Sequence, residues 1–213
     1  MNKTQQGRSM IEMLGVLAIV GVLSVGGIMA YNMAMNKFKT NKQMDQIQLI
    51  MTNVKTLFAS NSNYKGLNNG VLVALGVLQA HNQSEANTLS SGGGQVDVDN
   101  AFGGQIYVHS NEGAVTAGSK GGTLGAALAY GSYTIAIDRI PRSACAVLLN
   151  NDWGGADSGL LDVTVSKGSD ADKTAIGGGE TIYVDDNGTV SRKNVAQLAT
   201  MCLANNALYW TIK

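Results

Sequence analysis

The amino-acid sequence predicts an α+β protein in which one long N-terminal helix packs on an antiparallel sheet. Three observations favour this fold class. Apolar residues dominate the start of the chain, short strand patterns separated by glycine-rich turns occupy its second half, and the two cysteines lie far from the apolar start. We therefore expect the helix to come first and a head domain that contains the sheet to follow it.

The longest apolar run extends from Met13 to Met35 and contains no charged residue. It is long enough to cross a lipid bilayer, which takes about 20 residues. A secretory signal has an apolar core of only about 7 to 15 residues and ends at a small-x-small cleavage site. Ala30 and Ala34 are not spaced to form such a site. The run is therefore predicted to be retained, with residues 10–35 buried in a membrane or in an assembly.

The helical pattern continues beyond this apolar run. Lysines at 37, 39 and 42 come first, and apolar residues then recur at spacings of three and four, which is typical of an amphipathic helix. These apolar positions are Met44, Ile47, Ile50 or Met51, Val54, and Leu57 or Phe58. No proline interrupts the pattern, so we predict one helix from about Ser9 to Phe58 whose second half buries its apolar stripe.

The head domain is predicted to span residues 59–213 and to contain three short helices. The first of these helices covers Val71–Ala80, between a loop that ends at Gly70 and a loop over Ser84–Asp99. Another begins near Pro141, a residue that suits the first turn of a helix. The last covers Asn194–Ala204. Helices and strands therefore alternate in the second half of the chain.

Strand patterns begin after Phe102. The predicted strands are Gln105–Val108, Tyr133–Ile137, Leu161–Val165, Thr181–Val184 with Thr189–Ser191, and Tyr209–Ile212. Between the two segments of the fourth, the step Asn187-Gly188 predicts a tight hairpin turn, because both residue types tolerate positive φ angles.

The two cysteines, Cys145 and Cys202, fall in two of the predicted short helices. An even number of cysteines in an exported domain usually forms disulfides. A disulfide here would close the loop between positions 145 and 202, which would stabilise the fold by about 4 kcal/mol in the chain-entropy model. The alternative is a pair of buried free thiols in a cytosolic domain.

Composition argues against several classes of function. Lysine plus arginine and aspartate plus glutamate both total 15, so the chain has no bulk basic field for nucleic acid. His81 and His109 are isolated and are expected to be surface or loop residues, so no metal site is predicted. The aspartates at positions 97, 99, 152, 157, 170 and 172 do not form a calcium-binding loop, and no phosphate loop or nucleophile elbow is present. We expect no catalytic residue and no cofactor.

The N-terminal motif indicates a function more specifically than the composition does. Gly7 is followed by Arg8, Ser9, Met10, Ile11 and Glu12, and then directly by the apolar run. This arrangement resembles the processing site of type IV prepilins, in which a membrane peptidase cuts after the glycine and methylates the new amine. The resemblance implies a leader over residues 1–7 and a mature chain that begins at Arg8. Arg8 departs from the family, which usually has an apolar residue there, and this departure bears on methylation.

The resemblance also implies a role for Glu12, which would become the fifth residue after cleavage. A carboxylate within a bilayer helix costs about 2.5 to 3.5 kcal/mol at mid-membrane, so it should have a partner. In the family the partner is the N-terminal amine of the next subunit, which draws an incoming subunit into register. Two alternatives stay open: a weak intrahelical pair with Arg8, and a position at the lipid headgroups.

Two segments of the head resemble the type IVb branch of the family, which includes the toxin-coregulated and bundle-forming pilins. They are the stretch from Asn100 to Gly104 and the stretch from Ile140 to Cys145. This resemblance implies the type IV pilin fold, with a disulfide that encloses a surface region near the C-terminus.

The resemblance implies a structural subunit with no enzymatic activity. The precursor would sit in the bacterial inner membrane with its head in the periplasm, and the mature subunit would polymerise into an extracellular pilus that serves adhesion, aggregation or motility. The implied partners are other copies of the chain, the prepilin peptidase and the pilus assembly machinery. The alternatives are a minor pilin, a type II secretion pseudopilin, or an unrelated single-span membrane protein.

Overall fold

The fold is described from a computed structural model, over residues 10–82, 96–111, 130–154, 158–167, 180–181 and 195–213. The chain divides into two compact units, residues 1–38 and residues 39–213. The predicted leader over residues 1–7 and the hairpin turn at Asn187-Gly188 lie outside the described residues.

Helix α1 covers Met10–Leu57, close to the predicted range, and has residues in both units. In the second unit its buried residues are Thr40, Gln43, Ile47, Ile50 and Val54. Their spacing of three and four residues places them on one side of the helix. The predicted amphipathic second half is therefore confirmed.

Helix α2 covers Asn69–Ala74 and is shorter than the predicted Val71–Ala80. At its start the side chain of Asn68 accepts a hydrogen bond from the backbone N–H of Val71 at 3.0 Å, which caps the helix. Gly76 has a φ angle of +74°, a left-handed conformation that stops a helix. The helix is short because this glycine ends it.

Among the described residues, six strands form one sheet in which every paired neighbour is antiparallel. They are β1 Val98–Asp99, β2 Gln105–Ser110, β3 Tyr133–Pro141, β4 Leu160–Lys167, β5 Glu180–Thr181 and β6 Asn205–Ile212. The order across the sheet is β1-β2-β3-β6-β4-β5, so the C-terminal strand lies in the middle. This sheet confirms the predicted α+β architecture. The prediction of a loop over Ser84–Asp99 is wrong at its end, where β1 forms.

Two further short helices of the second unit lie on either side of strands β4 and β5 in the chain. Helix α3 covers Arg142–Asn150 and follows Pro141 directly, and helix α4 covers Val195–Met201. Their buried side chains join the same core as the buried face of α1 and one face of the sheet. The largest members of this core include Trp210, whose ring meets that of Trp153 edge-on at a centroid distance of 5.2 Å.

A second, smaller buried cluster lies on the opposite face of the sheet. Its members are Tyr107, Ala136, Ala207 and Tyr209. They alternate along their strands with residues of the main core, as side chains of a pleated sheet must. Both faces of the central strands are therefore buried.

Candidate functional site

The first unit presents an unusual helix surface. From Met10 to Phe38 nearly all of its large apolar side chains are exposed, and the examples include Met10 at 85%, Val22 at 74% and Tyr31 at 63%. The helix is long and apolar enough to cross a membrane. An apolar surface of this extent marks a site that is covered by lipid or by other protein. We take this surface as the candidate functional site.

Glu12 lies in the first turn of α1 and is exposed. It is the only acidic residue between Met10 and Phe38, and Lys37 is the only basic one. The helix dipole favours a carboxylate at this end by about 0.3 to 1 kcal/mol. Within the described residues no side chain forms an ion pair with Glu12. Gly7 and Arg8, the predicted processing residues, lie outside them.

Glycines within this helix leave room for close neighbours. A Cβ atom added at Gly15, Gly21, Gly26 or Gly27 would meet no other atom within 4 Å. The hydroxyl of Ser24 donates to the backbone carbonyl of Val20 at 2.7 Å, so this polar group is satisfied inside the helix. Ser24 therefore needs no hydrogen-bond partner from outside the helix.

The disulfide predicted between Cys145 and Cys202 is present. Cys145 lies in α3, Cys202 follows the end of α4, and both residues are fully buried. A second link lies beside it, because the Nε of Arg142 donates to the backbone carbonyl of Cys202 at 2.8 Å. The two helices are thus joined across the strands that separate them in the chain.

The two histidines occupy different environments. The Nδ1 atom of His81 lies 2.6 Å from the carboxylate of Asp99, and both side chains are about half exposed. His109 lies in β2, so its prediction as a surface or loop residue is wrong. Both of its ring nitrogens are buried and have no hydrogen-bond partner among the described residues, and burial lowers the pKa of the imidazole. The residue pattern of β2 in the sequence does not indicate that the side of the strand facing away from the main core is also covered.

The acidic residues that we considered for calcium are dispersed. Asp99 pairs with His81, and one carboxylate oxygen of Asp152 accepts the backbone N–H of Gly154 at 3.1 Å. No cluster of three or more potential metal ligands occurs among the described residues. Asp157, Asp170 and Asp172 lie outside them.

The family described as PilS N terminal matches residues 37–213 of the chain. Two solved structures are similar, each with a TM-score of 0.47. A type IV b pilin from Salmonella typhi is 18% identical, and the match covers 80% of this chain and 97% of that one. TcpA, a type IV pilin from Vibrio cholerae El Tor biotype, is 14% identical, with 82% and 99% covered. No curated protein matches the sequence.

Proposed function

This chain belongs to the PilS N-terminal family and is a structural pilus subunit, and on that premise we propose that it is made as a type IV prepilin, cut after Gly7, and polymerised through its apolar helix. The observation that carries the proposal is the exposed apolar surface of α1, which carries no charge from Met13 to Met35. The family match begins at Lys37 and so excludes the motif at Gly7. The motif and the match are therefore independent support for the same class of protein.

The proposed precursor is held in the inner membrane by residues 10–35, with its head in the periplasm. Lys37, Lys39 and Lys42 would then follow the apolar span on the outer side, against the usual excess of lysine and arginine on the cytoplasmic side. The buried disulfide supports the proposed orientation, because disulfides form and persist in the periplasm and are rare in the cytosol. The proposed partners at this stage are the prepilin peptidase and the assembly machinery.

In the filament, the exposed apolar helices would pack against one another and the heads would form the outer surface. Helices that leave lipid must keep their apolar surface covered, and a bundle of identical helices does so. Glu12 is proposed to pair with the N-terminal amine of the next subunit. A carboxylate in such a bundle needs an opposite charge, and the first unit contains no basic side chain between Glu12 and Lys37.

The test is the N-terminus and intact mass of the protein from its native host, with and without the peptidase. We expect peptidase-dependent loss of residues 1–7, with or without one methyl group on Arg8. A Gly7→Leu variant should keep its leader and remain in the membrane. Gly15→Ala is the matched control, because a methyl group at Gly15 meets no atom within 4 Å. A wild-type chain that begins at Met1, or that is cut after Ala30 or later, would refute the proposal.

A further inference from the structure

Methionines are concentrated in the segment of α1 that is proposed to pack in the filament. Five of the nine methionines of the chain lie within residues 10–35. A methionine side chain is flexible and polarisable, so it fills irregular gaps between packed helices. Its thioether sulfur can also be oxidised to a sulfoxide, which makes the side chain polar. A surface that packs through methionines is therefore sensitive to oxidation.

Met29 and Met33 belong to one apolar side of this segment. The two residues lie four apart in α1, so their side chains are neighbours on the helix surface. Val25 and Val22 continue the same side at spacings of four and three. All four side chains are exposed in the first unit, with Met29 at 69% and Met33 at 78%. Both methionines therefore lie on a surface that a neighbouring helix would cover.

Met33 lies close to the outer end of the proposed membrane span. Tyr31 and Asn32 precede it directly, and Lys37 follows it by four residues. Tyrosine is enriched at membrane–water interfaces, and the ammonium group of a lysine extends towards the headgroups. Four residues of helix rise by only about 6 Å. In the proposed periplasmic orientation, Met33 therefore lies near the headgroups, within reach of a small water-borne oxidant, and Met29 lies one turn deeper.

Hydrogen peroxide is a suitable oxidant because it is small and uncharged. A lone pair of the methionine sulfur attacks one peroxide oxygen, so an S–O bond forms as the O–O bond breaks. The proton on the attacked oxygen passes to the departing oxygen, which leaves as water. The sulfur is oxidised and the peroxide is reduced, and the product is methionine sulfoxide. Cys145 and Cys202 do not compete as thiols, because they are joined in a disulfide.

The sulfoxide has different effects in the membrane and in the filament. Near the headgroups its oxygen can accept hydrogen bonds from water. Between packed apolar helices the same oxygen loses that water, and a buried polar group without a partner is unfavourable. Val22 and Val25, on the same side of the helix, have no side-chain donor to replace it. We propose that Met29 and Met33 form an oxidation site whose sulfoxide form stays in the membrane and is kept out of the filament. This inference rests on the proposed assembly through α1.

The experiment follows both forms of the subunit in its native host. Existing filaments are sheared off, the cells are exposed briefly to hydrogen peroxide, and added catalase then destroys the remaining oxidant. Peptide mass spectrometry measures the sulfoxide fraction at each methionine, in the membrane pool and in the filaments that form afterwards. We expect sulfoxide at Met33 in the membrane pool and a fraction lower by about tenfold or more in the new filaments. Both fractions come from the same cells, so damage to other proteins does not produce the difference.

A double variant, Met29→Leu with Met33→Leu, removes both sulfurs and keeps apolar side chains of similar volume. The matched control is Met44→Leu with Met51→Leu, which removes two sulfurs from α1 outside residues 10–35. Filament yield after peroxide is expressed relative to the yield of the same cells without peroxide. At a dose that oxidises most of the Met33 side chains, this relative yield should fall much further in the wild type and in the control than in the variant without Met29 and Met33.

The outcomes separate this inference from the proposed assembly role. Wild-type filaments in cells without peroxide support assembly whatever the sulfoxide does, and their absence would overturn both proposals. With filaments present, equal sulfoxide fractions at Met33 in the membrane pool and in the filaments would overturn the oxidation site alone. A membrane pool without sulfoxide at Met33 would also overturn it, as would an equal loss of relative yield in the wild type and in Met29→Leu with Met33→Leu.

Discussion

The side chain of Asn69 accepts the backbone N–H of Val108 at 2.8 Å and so takes the place of a neighbouring strand. Its amide nitrogen donates to the carbonyl of Ile106 at 2.7 Å and to that of Val96 at 2.9 Å. Strand β1 pairs with β2 only at Ile106 and Gln105. The amide of Asn69 therefore satisfies the N–H of Val108, which lies on the β2 edge beyond the residues that β1 pairs with, and adds a bond to the carbonyl of Ile106.

Replacing Asn69 by alanine should destabilise the head strongly. The change leaves two carbonyls and one N–H without their partner in a buried place, and each such group costs about 1 to 3 kcal/mol. We expect a loss of about 3 kcal/mol in the free energy of unfolding, measured by chemical denaturation in detergent. The control is Asn61→Ala, an exposed site where the change should stay within about 0.5 kcal/mol. A loss below about 1 kcal/mol at Asn69 would contradict this account.

Two adjacent glycines should respond differently to alanine. A Cβ atom at Gly104 would overlap the carboxylate and the carbonyl of Asp138 and the side-chain amide of Asn100. At Gly103 there is open space, but the φ angle of +84° disfavours any L-residue by about 1 to 2 kcal/mol. Gly104→Ala should therefore lower the unfolding free energy by about 3 kcal/mol, more than Gly103→Ala does. Equal losses in thermal denaturation would show that Asp138 moves aside freely.

Strands with strong alternation were predictable from the sequence. The β-branched and aromatic residues of Tyr133–Ile137 and Tyr209–Ile212 predict strands, and both segments pair in the observed sheet. The observed β3 is longer and continues to Pro141 through a bulge where Arg139 adopts a φ angle of +54°. Charged residues and a proline are typical of strand ends, so sequence pattern alone ends this strand too early.

Other features depend on contacts that pattern does not reveal. Strand β1 has two residues, too few for any periodicity. A groove beside Trp153 combines residues from α1, from a turn and from two strands far apart in the chain. The disulfide was predictable because only one pairing of two cysteines exists. The apolar run was predictable because its length and its lack of charge can be read directly along the chain.

Removing the disulfide should cost about 4 kcal/mol of unfolding free energy, because the unfolded chain then loses a large closed loop. The test is a double variant, Cys145→Ala with Cys202→Ala, compared with the wild type by chemical denaturation. A reducing agent should lower the wild-type midpoint and leave that of the variant unchanged. Both sulfurs are fully buried, so the reducing agent should act on the wild type only as it unfolds. A variant within about 1 kcal/mol of the wild type would contradict the expected stabilisation.

His109 should make the head less stable in acid. Burial holds the pKa of its imidazole below the usual value of 6.5. Just below that pH, His109 is therefore protonated in the unfolded chain but stays neutral in the folded chain. The contribution of the neutral His109 to the free energy of unfolding is fully present above pH 6.5 and is lost as the pH falls towards the folded-state pKa. Chemical denaturation of wild type and His109→Gln between pH 8 and pH 5 measures it.

The readout for His109 is the difference between the two proteins, because carboxylates also contribute to acid destabilisation in both. His109→Gln, which does not titrate, should lose less stability between these pH values than the wild type does. His81→Gln is the control, since the exposed pair of His81 with Asp99 contributes little to stability. If the free energy of unfolding depends on pH in the same way for wild type and His109→Gln, the buried imidazole does not contribute to the loss of stability in acid.

Glu12→Gln should block assembly without blocking processing. The substitution keeps the size of the side chain and removes the only negative charge in the first unit between Met10 and Phe38. If Glu12 pairs with the amine of the next subunit, losing an interaction of about 1.4 kcal/mol or more should reduce filament yield to a tenth or less. The variant should still lose residues 1–7 by mass spectrometry and accumulate in the membrane. Asp45→Asn, which neutralises an exposed carboxylate of the same helix outside the apolar run, should assemble normally. Wild-type yield from Glu12→Gln would show that apolar packing alone brings the subunits into register, with Glu12 at the headgroups or paired with Arg8.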